Sequence, residues 1–364
     1  MRNLGLRALD EALGGARRVA VVGFPDHNNI GDSAIWVGTR KALAELGVEV
    51  AYVATWWSYD PHRTRDAVGD APVLIHGGGN LGDRYPREQN LRERVLKDLR
   101  DRLVVQLPQT VSFADQAKAR TFAALALRHP ALRVMVRDTG SAEALDRVGV
   151  PSTLVPDLAF AINDVPTATI RVPGAPSRSG TPPDVVWIAR TDVERQASAD
   201  RYAESAGVQM TDWQSLLGPP GGWPEEQRTA LETVSAFAHR SLAEARFAVR
   251  AARRAAAQLG ILEDRPSFGR RALPRENLVE FASAPEVLAE YRLGRGLALL
   301  SSAETVVTDR LHAHVLSLLS GIPSVAYDNS DQKLSRYWRT WSPPSSLATW
   351  VASPDEAWEY VRQG

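Results

Sequence analysis

The sequence predicts an α/β protein made of two parallel-sheet domains joined by a Pro-rich hinge. Three observations carry that expectation. A length of 364 residues suggests two domains at roughly 150 residues each. Short apolar runs alternate with amphipathic stretches, the pattern of βαβ units and parallel sheets. The segment Asp164–Asp184 breaks that pattern with Pro166, Pro173, Pro176, Pro182 and Pro183, and so reads as a linker.

Arg18–Gly23 is a short apolar run ending in Gly, the first strand. Asp32–Leu46 has Ile35, Ala42, Leu43 and Leu46 at helical spacing and stops at Gly47. Val48–Ala54 and Pro72–His76 read as the second and third strands, the third ending in Gly77-Gly78-Gly79. A charged helix over Arg87–Arg102 leads to a strand over Leu103–Gln106. A helix over Ala114–Arg128, a strand over Leu132–Val136, a helix over Ser141–Val148 and a strand over Ser152–Val155 complete the first half. In the second half Val185–Ala189, Thr305–Thr308 and Ser324–Tyr327 read as strands. A helix over Arg310–Ser320 is stopped by Gly321 and Pro323, the usual order of helix-ending residues.

The expected organisation is an N-terminal domain over 1–163, the linker over 164–184, a C-terminal domain over 185–345 and a C-terminal helix over 346–364. Within the second domain, 224–260 carries an apolar stripe at steps of three and four. Its basic residues Arg246, Arg250, Arg253 and Arg254 have no acid between them. That segment suits a surface helix, a homo-oligomer contact, or a basic face for peripheral contact with anionic lipid.

Composition excludes several classes of function. Lys plus Arg and Asp plus Glu number 43 each, for a formal net charge of zero, so no nucleic-acid partner is expected. Cysteine is absent, which removes disulfide frameworks, Cys-zinc sites and thiol nucleophiles. Met1–Ala20 lacks the apolar core of a signal peptide, and no run of about 18 apolar residues occurs. A cytoplasmic location is therefore expected, with the inner face of the membrane within reach. The 10 Trp outnumber the 8 Phe and the 8 Tyr. Indole faces suit sugar rings, and Trp also fills cores.

In open parallel sheets, ligands bind beyond the carboxyl ends of the strands. After the first strand come Asn28, Asn29, Gly31 and Asp32, which suit either a capped turn or a helix N-terminus that receives hydroxyls or an anion. After the third come Gly77, Gly78, Gly79 and Asn80, where bare backbone admits a ligand closely. Arg137 and Asp157 follow the fifth and sixth strands. Arg137 suits bidentate binding of phosphate or carboxylate, or a structural pair with Asp138 or Asp157. Thr308 to His314 is the densest cluster. There Arg310 and His312 can share a pocket only if Arg310 lies in the turn before the helix, and His314 then reads as a core histidine. Two histidines at i, i+2 make a poor metal site, and no metal is expected. Lys333 follows the last strand as a point charge for an anion or a solvated loop residue. Trp56, Trp57 and Tyr59 are candidate stacking residues or core aromatics.

Taken in order, Asn28–Ile35, His76–Leu81, Arg137-Asp138 with Ser141, Pro156-Asp157, Asp309–His314, and Asp328-Asn329 with Lys333 resemble the polysaccharide pyruvyl transferases. Asp331-Gln332 stands where that family has an aromatic and a Gly, and 190–295 matches none of its motifs. The resemblance implies a GT-B-like fold, two Rossmann-like domains facing a cleft. It implies transfer of a pyruvyl group from phosphoenolpyruvate to a sugar or lipid-linked glycan, with formation of a ketal and release of phosphate. Phosphoenolpyruvate is then the donor substrate, and no cofactor is expected. Arg137, Arg310, His312 and Lys333 would hold phosphoenolpyruvate, with His312 and Arg310 catalytic and His312 the acid. Asn28, Asn29, Gly31, Asp32, Gly77, Gly78, Gly79, Asn80 and Asp157 would line the acceptor. Two rivals share the architecture, a nucleotide-sugar glycosyltransferase and a non-catalytic sugar- or anion-binding protein. The second half carries no pair of Glu eight residues apart, a mark of many such glycosyltransferases.

Overall fold

Short Val- and Ala-rich runs form the strands of two sheets, in both of which every pairing is parallel. The computed structural model describes residues 1–27, 29–162, 184–191, 197–213, 289–330, 332–341 and 345–363. Asn28, Asp331, most of the proposed linker and the whole of 224–260 lie outside them.

The first sheet contains β1 (Arg18–Val22), β2 (Glu49–Ala54), β3 (Val73–Ile75), β4 (Gly78–Gly82), β5 (Val104–Ser112), β6 (Leu132–Val136) and β7 (Thr153–Leu154). Their order is β2-β1-β3-β5-β6-β7, with β4 paired to β5. The second sheet contains β8 (Val185–Ile188), β9 (Val208–Thr211), β10 (Thr305–Thr308), β11 (Ser324–Ala326) and β12 (Ala348–Trp350), in the order β12-β11-β10-β8-β9. The two Rossmann-like units expected from the sequence are both present. Each order reverses direction once, between β1 and β3 in the first sheet and between β8 and β10 in the second. Such switch points open the crevices where ligands settle in open α/β sheets.

The helices are α1 (Arg2–Leu13), α2 (Ile30–Glu45), α3 (Pro61–Val68), α4 (Pro86–Asp98), α5 (Gln116–Arg128), α6 (Thr139–Asp146), α7 (289–300), α8 (Leu311–Leu319), α9 (Lys333–Trp341) and α10 (Pro354–Gln363). Side chains of Asn29, Asp60, Asp115 and Asp138 cap α2, α3, α5 and α6, satisfying amide donors that have no partner within the helix.

Three expectations need correction. Gly77–Gly79 is not a free loop, because Gly78–Gly82 pairs with β5. β5 does not end at Gln106. Its register shifts between Gln106 and Gln109, around Pro108, whose missing N–H confines it to an irregular position in a strand, and it runs on to Ser112. The 346–364 segment is not helical throughout. Thr349 and Trp350, both strand formers, lie in β12 against β11, and the helix starts only at Pro354. The second sheet therefore extends beyond residue 345.

A continuous core joins the units. Val19 and Val21 of β1, Trp36 of α2, Leu293 and Leu297 of α7, Leu316 of α8 and Val186 of β8 belong to one buried cluster. Trp36, Trp187 and Trp213 are fully buried. Trp338 packs against Trp350 at 5.5 Å between ring centroids. Much of the Trp excess is thus core. No helix among the described residues is long and apolar enough to cross a membrane.

Candidate active site

The carboxyl ends of β6 and β7 deliver the first group of charges. Arg137 follows β6. Its Nη1 donates to Oδ2 of Asp157 at 2.6 Å, and its Nε donates to Oγ1 of Thr110 at 2.9 Å. His312, in the first turn of α8, brings Nε2 to 3.2 Å from the same Asp157 oxygen and 3.4 Å from Arg137 Nη1. The Arg137 and Asp157 side chains are only 3% and 1% exposed. Burial alone would raise the Asp157 pKa, but His312 and Arg137 overcome it and hold the carboxyl well below the ordinary range. Of the two partners considered for Arg137, Asp157 is the one taken. Asp138 instead caps α6 and accepts from Thr110 at 2.9 Å. Thr110 therefore sits between Asp138 and Arg137 and fixes the guanidinium plane.

Gly79 faces this group. A β-carbon on Gly79 would lie 3.0 Å from Arg137 Nη2 and 3.6 Å from Lys333 Cε. Arg137 and Lys333 therefore meet at one bare stretch of backbone. Lys333, at the start of α9, also holds its ammonium 5.4 Å from the Tyr85 ring centroid. A shallow surface depression lies here, lined by Gly79, Asn80, Arg84, Tyr85, Ser112 and Lys333 among others. The far end of α9 binds back as well, since Trp341 Nε1 donates to the Arg137 carbonyl at 2.7 Å.

The switch point between β1 and β3 holds a second and larger cleft. Asp26, His27, Asp32, Trp56, His76, Asn80 and Arg92 all line it. Asn29 caps α2 by accepting from Gly31 N at 3.0 Å, and its amide donates to Asp32 at 2.8 Å. Of the candidate stacking residues, Trp56 lines the cleft and Trp57 donates to Asp26 at 2.5 Å. Tyr59 is a buried core residue. Asn80 is held by Arg92 Nη2 at 2.9 Å and Gln109 Nε2 at 3.0 Å, both on its Oδ1. Arg92 is buried, which lowers its pKa to about 10 and leaves it charged at neutral pH. Burial likewise lowers His76 to about 4.

Arg310 lies at the other switch point. It sits in the turn before α8 with φ −102° and ψ 120°, the condition set above for sharing a pocket with His312. Its guanidinium nevertheless turns to the second sheet, where Nη2 donates to Asp212 at 2.6 Å with side chains 5% and 1% exposed. Thr191 donates to the same Asp212 oxygen from its amide at 3.1 Å and its hydroxyl at 2.9 Å. The neighbouring Asp309 accepts from Arg190 N at 3.2 Å. Burial pushes its carboxyl up to about 7, against the pull of Arg310 and Arg190. His314 is buried, 3.1 Å from Ser324 Oγ and 5.1 Å from the Trp338 ring, and burial lowers it to about 4.

The structure thus gathers Arg137, Asp157, His312, Gly31, Gly79 and Lys333, and it ties Arg310 to Asp212. Asp157, grouped with the acceptor loops on sequence, stands beside the cations. Asp212, Thr110 and Arg92 escaped the sequence reading. For Asp212 the signal was its place after the four-residue strand β9, inside the stretch that matched no motif.

A model of the family described as polysaccharide pyruvyl transferase matches residues 29–215 and 250–331. Pyruvyl transferase 1 of Schizosaccharomyces pombe (strain 972 / ATCC 24843) is 30% identical over 347 residues, covering 90% of this chain and 70% of that protein. EpsO of Bacillus subtilis (strain 168) is 24% identical over 321 residues, covering 87% of this chain and 83% of that protein. The crystal structure of a protein from Klebsiella pneumoniae subsp. pneumoniae NTUH-K2044 is similar in fold, with a TM-score of 0.54 at 13% identity, covering 97% of this chain and 100% of that one.

Proposed function

Because this chain belongs to the polysaccharide pyruvyl transferase family, we propose that it takes its pyruvyl group from phosphoenolpyruvate and sets it on a sugar of a polysaccharide or glycolipid precursor as a cyclic ketal, releasing phosphate. The observation that carries this reading is the buried Arg137–Asp157–His312 cluster, with Gly79 and Lys333 beside it. Phosphoenolpyruvate is a small polyanion with one phosphate and one carboxylate. The Arg137 guanidinium and the Lys333 side chain pass the same glycine, and two cations so close together suit such a ligand.

In the proposed reaction His312 donates a proton to the methylene carbon of the enol. The carbon bearing phosphate becomes an oxocarbenium centre, to which one sugar hydroxyl adds as it loses its proton. The C–O bond to phosphate then breaks, and phosphate leaves with the bonding electrons. A second hydroxyl adds to the same carbon, loses its proton and closes the ketal. One proton enters from His312 and two leave the sugar, one of them restoring the histidine and the other leaving with phosphate. Asp157 holds the imidazole in orientation and balances the charge of its acid form. Arg137 and Lys333 stabilise the departing phosphate, and Arg310, held by Asp212, is assigned to the donor side as a further cation. The cleft between β1 and β3, lined by Asp26, His27, Asp32 and Asn80 among others, receives the acceptor.

Release of inorganic phosphate from phosphoenolpyruvate, measured with and without a glycan acceptor, tests this. Acceptor-dependent release is expected, and it should vanish in His312→Ala with the circular dichroism spectrum unchanged. Turnover of a UDP-sugar instead would overturn the reading, as would binding without turnover.

A further inference from the structure

α7 of the second unit packs on the first unit at the start of α2. Gly296 makes this approach possible, since a β-carbon there would lie 2.5 Å from Ile30 Cγ2. One turn earlier stands Arg292, only 2% exposed. Its Nη1 donates to the Pro25 carbonyl at 3.0 Å. Pro25 and Asp26 both line the larger cleft. Burial lowers Arg292 to about 10, with the nearby Asp26 charge opposing, so it remains charged at neutral pH. A buried guanidinium is costly unless hydrogen bonds and charges compensate it. Here the β1–α2 loop supplies both, through the Pro25 carbonyl and the Asp26 charge. The other side of the loop is held independently, because Trp57 Nε1 donates to Asp26 Oδ2 at 2.5 Å.

We infer that Arg292 is a positioning residue for the acceptor. It reaches across from the second unit and fixes the rim of the cleft, so that Asp26 and His27 meet the sugar in one geometry. This rests on the reading of that cleft as the acceptor side. It places acceptor recognition partly in the stretch of sequence that matched no motif, and makes it depend on how the two units pack. A residue that only supported the fold would affect donor and acceptor alike, whereas one that shapes the rim acts on the acceptor.

The test uses the full chain with Arg292→Met, Arg292→Lys and Trp57→Phe. Amide hydrogen exchange is read at Phe24, Asp26 and His27 and compared with Val136 and Leu158. Phosphate release is read with phosphoenolpyruvate and a panel of methyl hexopyranosides. In Arg292→Met, exchange at the loop should rise at least tenfold while Val136 and Leu158 stay protected. The acceptor KM should rise about tenfold or more, with kcat and the phosphoenolpyruvate KM within about threefold of wild type. Arg292→Lys should fall between, and Trp57→Phe should reproduce the acceptor effect from the other side of the loop. Unchanged loop exchange in a folded Arg292→Met protein would overturn the inference, and so would equal loss of both KM values. Faster loop exchange with an unchanged acceptor KM would also refute it. If wild type releases no phosphate with any acceptor, the proposed function fails instead, and the exchange data still decide whether Arg292 orders the loop.

Discussion

The imidazole of His312 lies against the bare Cα of Gly31, so closely that a β-carbon there would come within 2.8 Å of the ring Cγ. The two residues sit in the first turns of α2 and α8, helices of different units. Glycine at 31 is therefore a condition for bringing the second unit's histidine to the first unit's Asp157.

Gly31→Ala should displace that ring. An added methyl in a packed site costs about 1–3 kcal/mol, so the protein should still fold. Activity should suffer far more, because a shift of about 1 Å at the reacting group can cost roughly 10²-fold. We expect kcat to drop by about that factor with a modest fall in melting temperature. Full activity in a folded Gly31→Ala protein would show that His312 is not a reacting group.

Asp157→Asn keeps the shape of the side chain and removes the charge that Arg137 and His312 share. A buried cation left without its partner costs about 3–5 kcal/mol, and a positioned acid contributes about 10²–10⁴-fold. Both stability and kcat should fall, measured by denaturant titration and by phosphate release. If Asp157 acted only on the acceptor, the acceptor KM would move while kcat held.

The Arg310–Asp212 pair makes a parallel prediction for the second sheet. Asp212→Asn leaves Arg310 buried without its counter-charge, at a similar cost of about 3–5 kcal/mol. Should Arg310 contribute to donor binding, the phosphoenolpyruvate KM should rise as the guanidinium loosens, and the acceptor KM should not. An unchanged donor KM in a folded Asp212→Asn protein would confine Arg310 to a structural role.

The contrast between these two pairs shows what a linear reading can reach. The strand ends were visible, because short aliphatic runs announce parallel strands and each run ended at a recognisable polar residue. Arg137, Asp157, His312 and Lys333 were found in this way. Which carboxylate would take which cation was not visible. Arg137 and His312 lie 175 residues apart in sequence, and their meeting depends on how α8 packs on α2. Asp212 follows Val208–Thr211, which alternates apolar and polar residues over only four positions, too short a run for periodicity to mark. β4 was hidden by composition, since three of the five residues from Gly77 to Leu81 are glycines, which signal a turn more strongly than a strand. The start of α3 did carry a usable signal, Asp60 followed by Pro61, which is a cap and a first-turn proline.

Asp309 provides a pH prediction. Its carboxyl is raised from 3.8 to about 7 by burial in the folded protein. Between those values the folded state holds a proton that the unfolded chain has released. The contribution of Asp309 is therefore fully present below about 3.8 and is lost as pH rises to about 7. At about 1.4 kcal/mol per pH unit, the loss amounts to about 4 kcal/mol. His76 and His314, lowered to about 4 by burial, act in the opposite sense over pH 4–6.5, because there the unfolded chain binds protons that the folded state does not. Asp157 is ionised throughout that window and changes nothing there. Asp309→Asn keeps the volume and cannot titrate, so the difference in stability between wild type and this variant isolates the one carboxyl. That difference, from denaturant titrations at pH 4.5, 5.5, 6.5 and 7.5 (about one pH unit apart), should move against wild type as pH rises and level off above about 7. A difference that stays flat across the series would mean that Asp309 ionises normally, with Arg190 and Arg310 outweighing its burial.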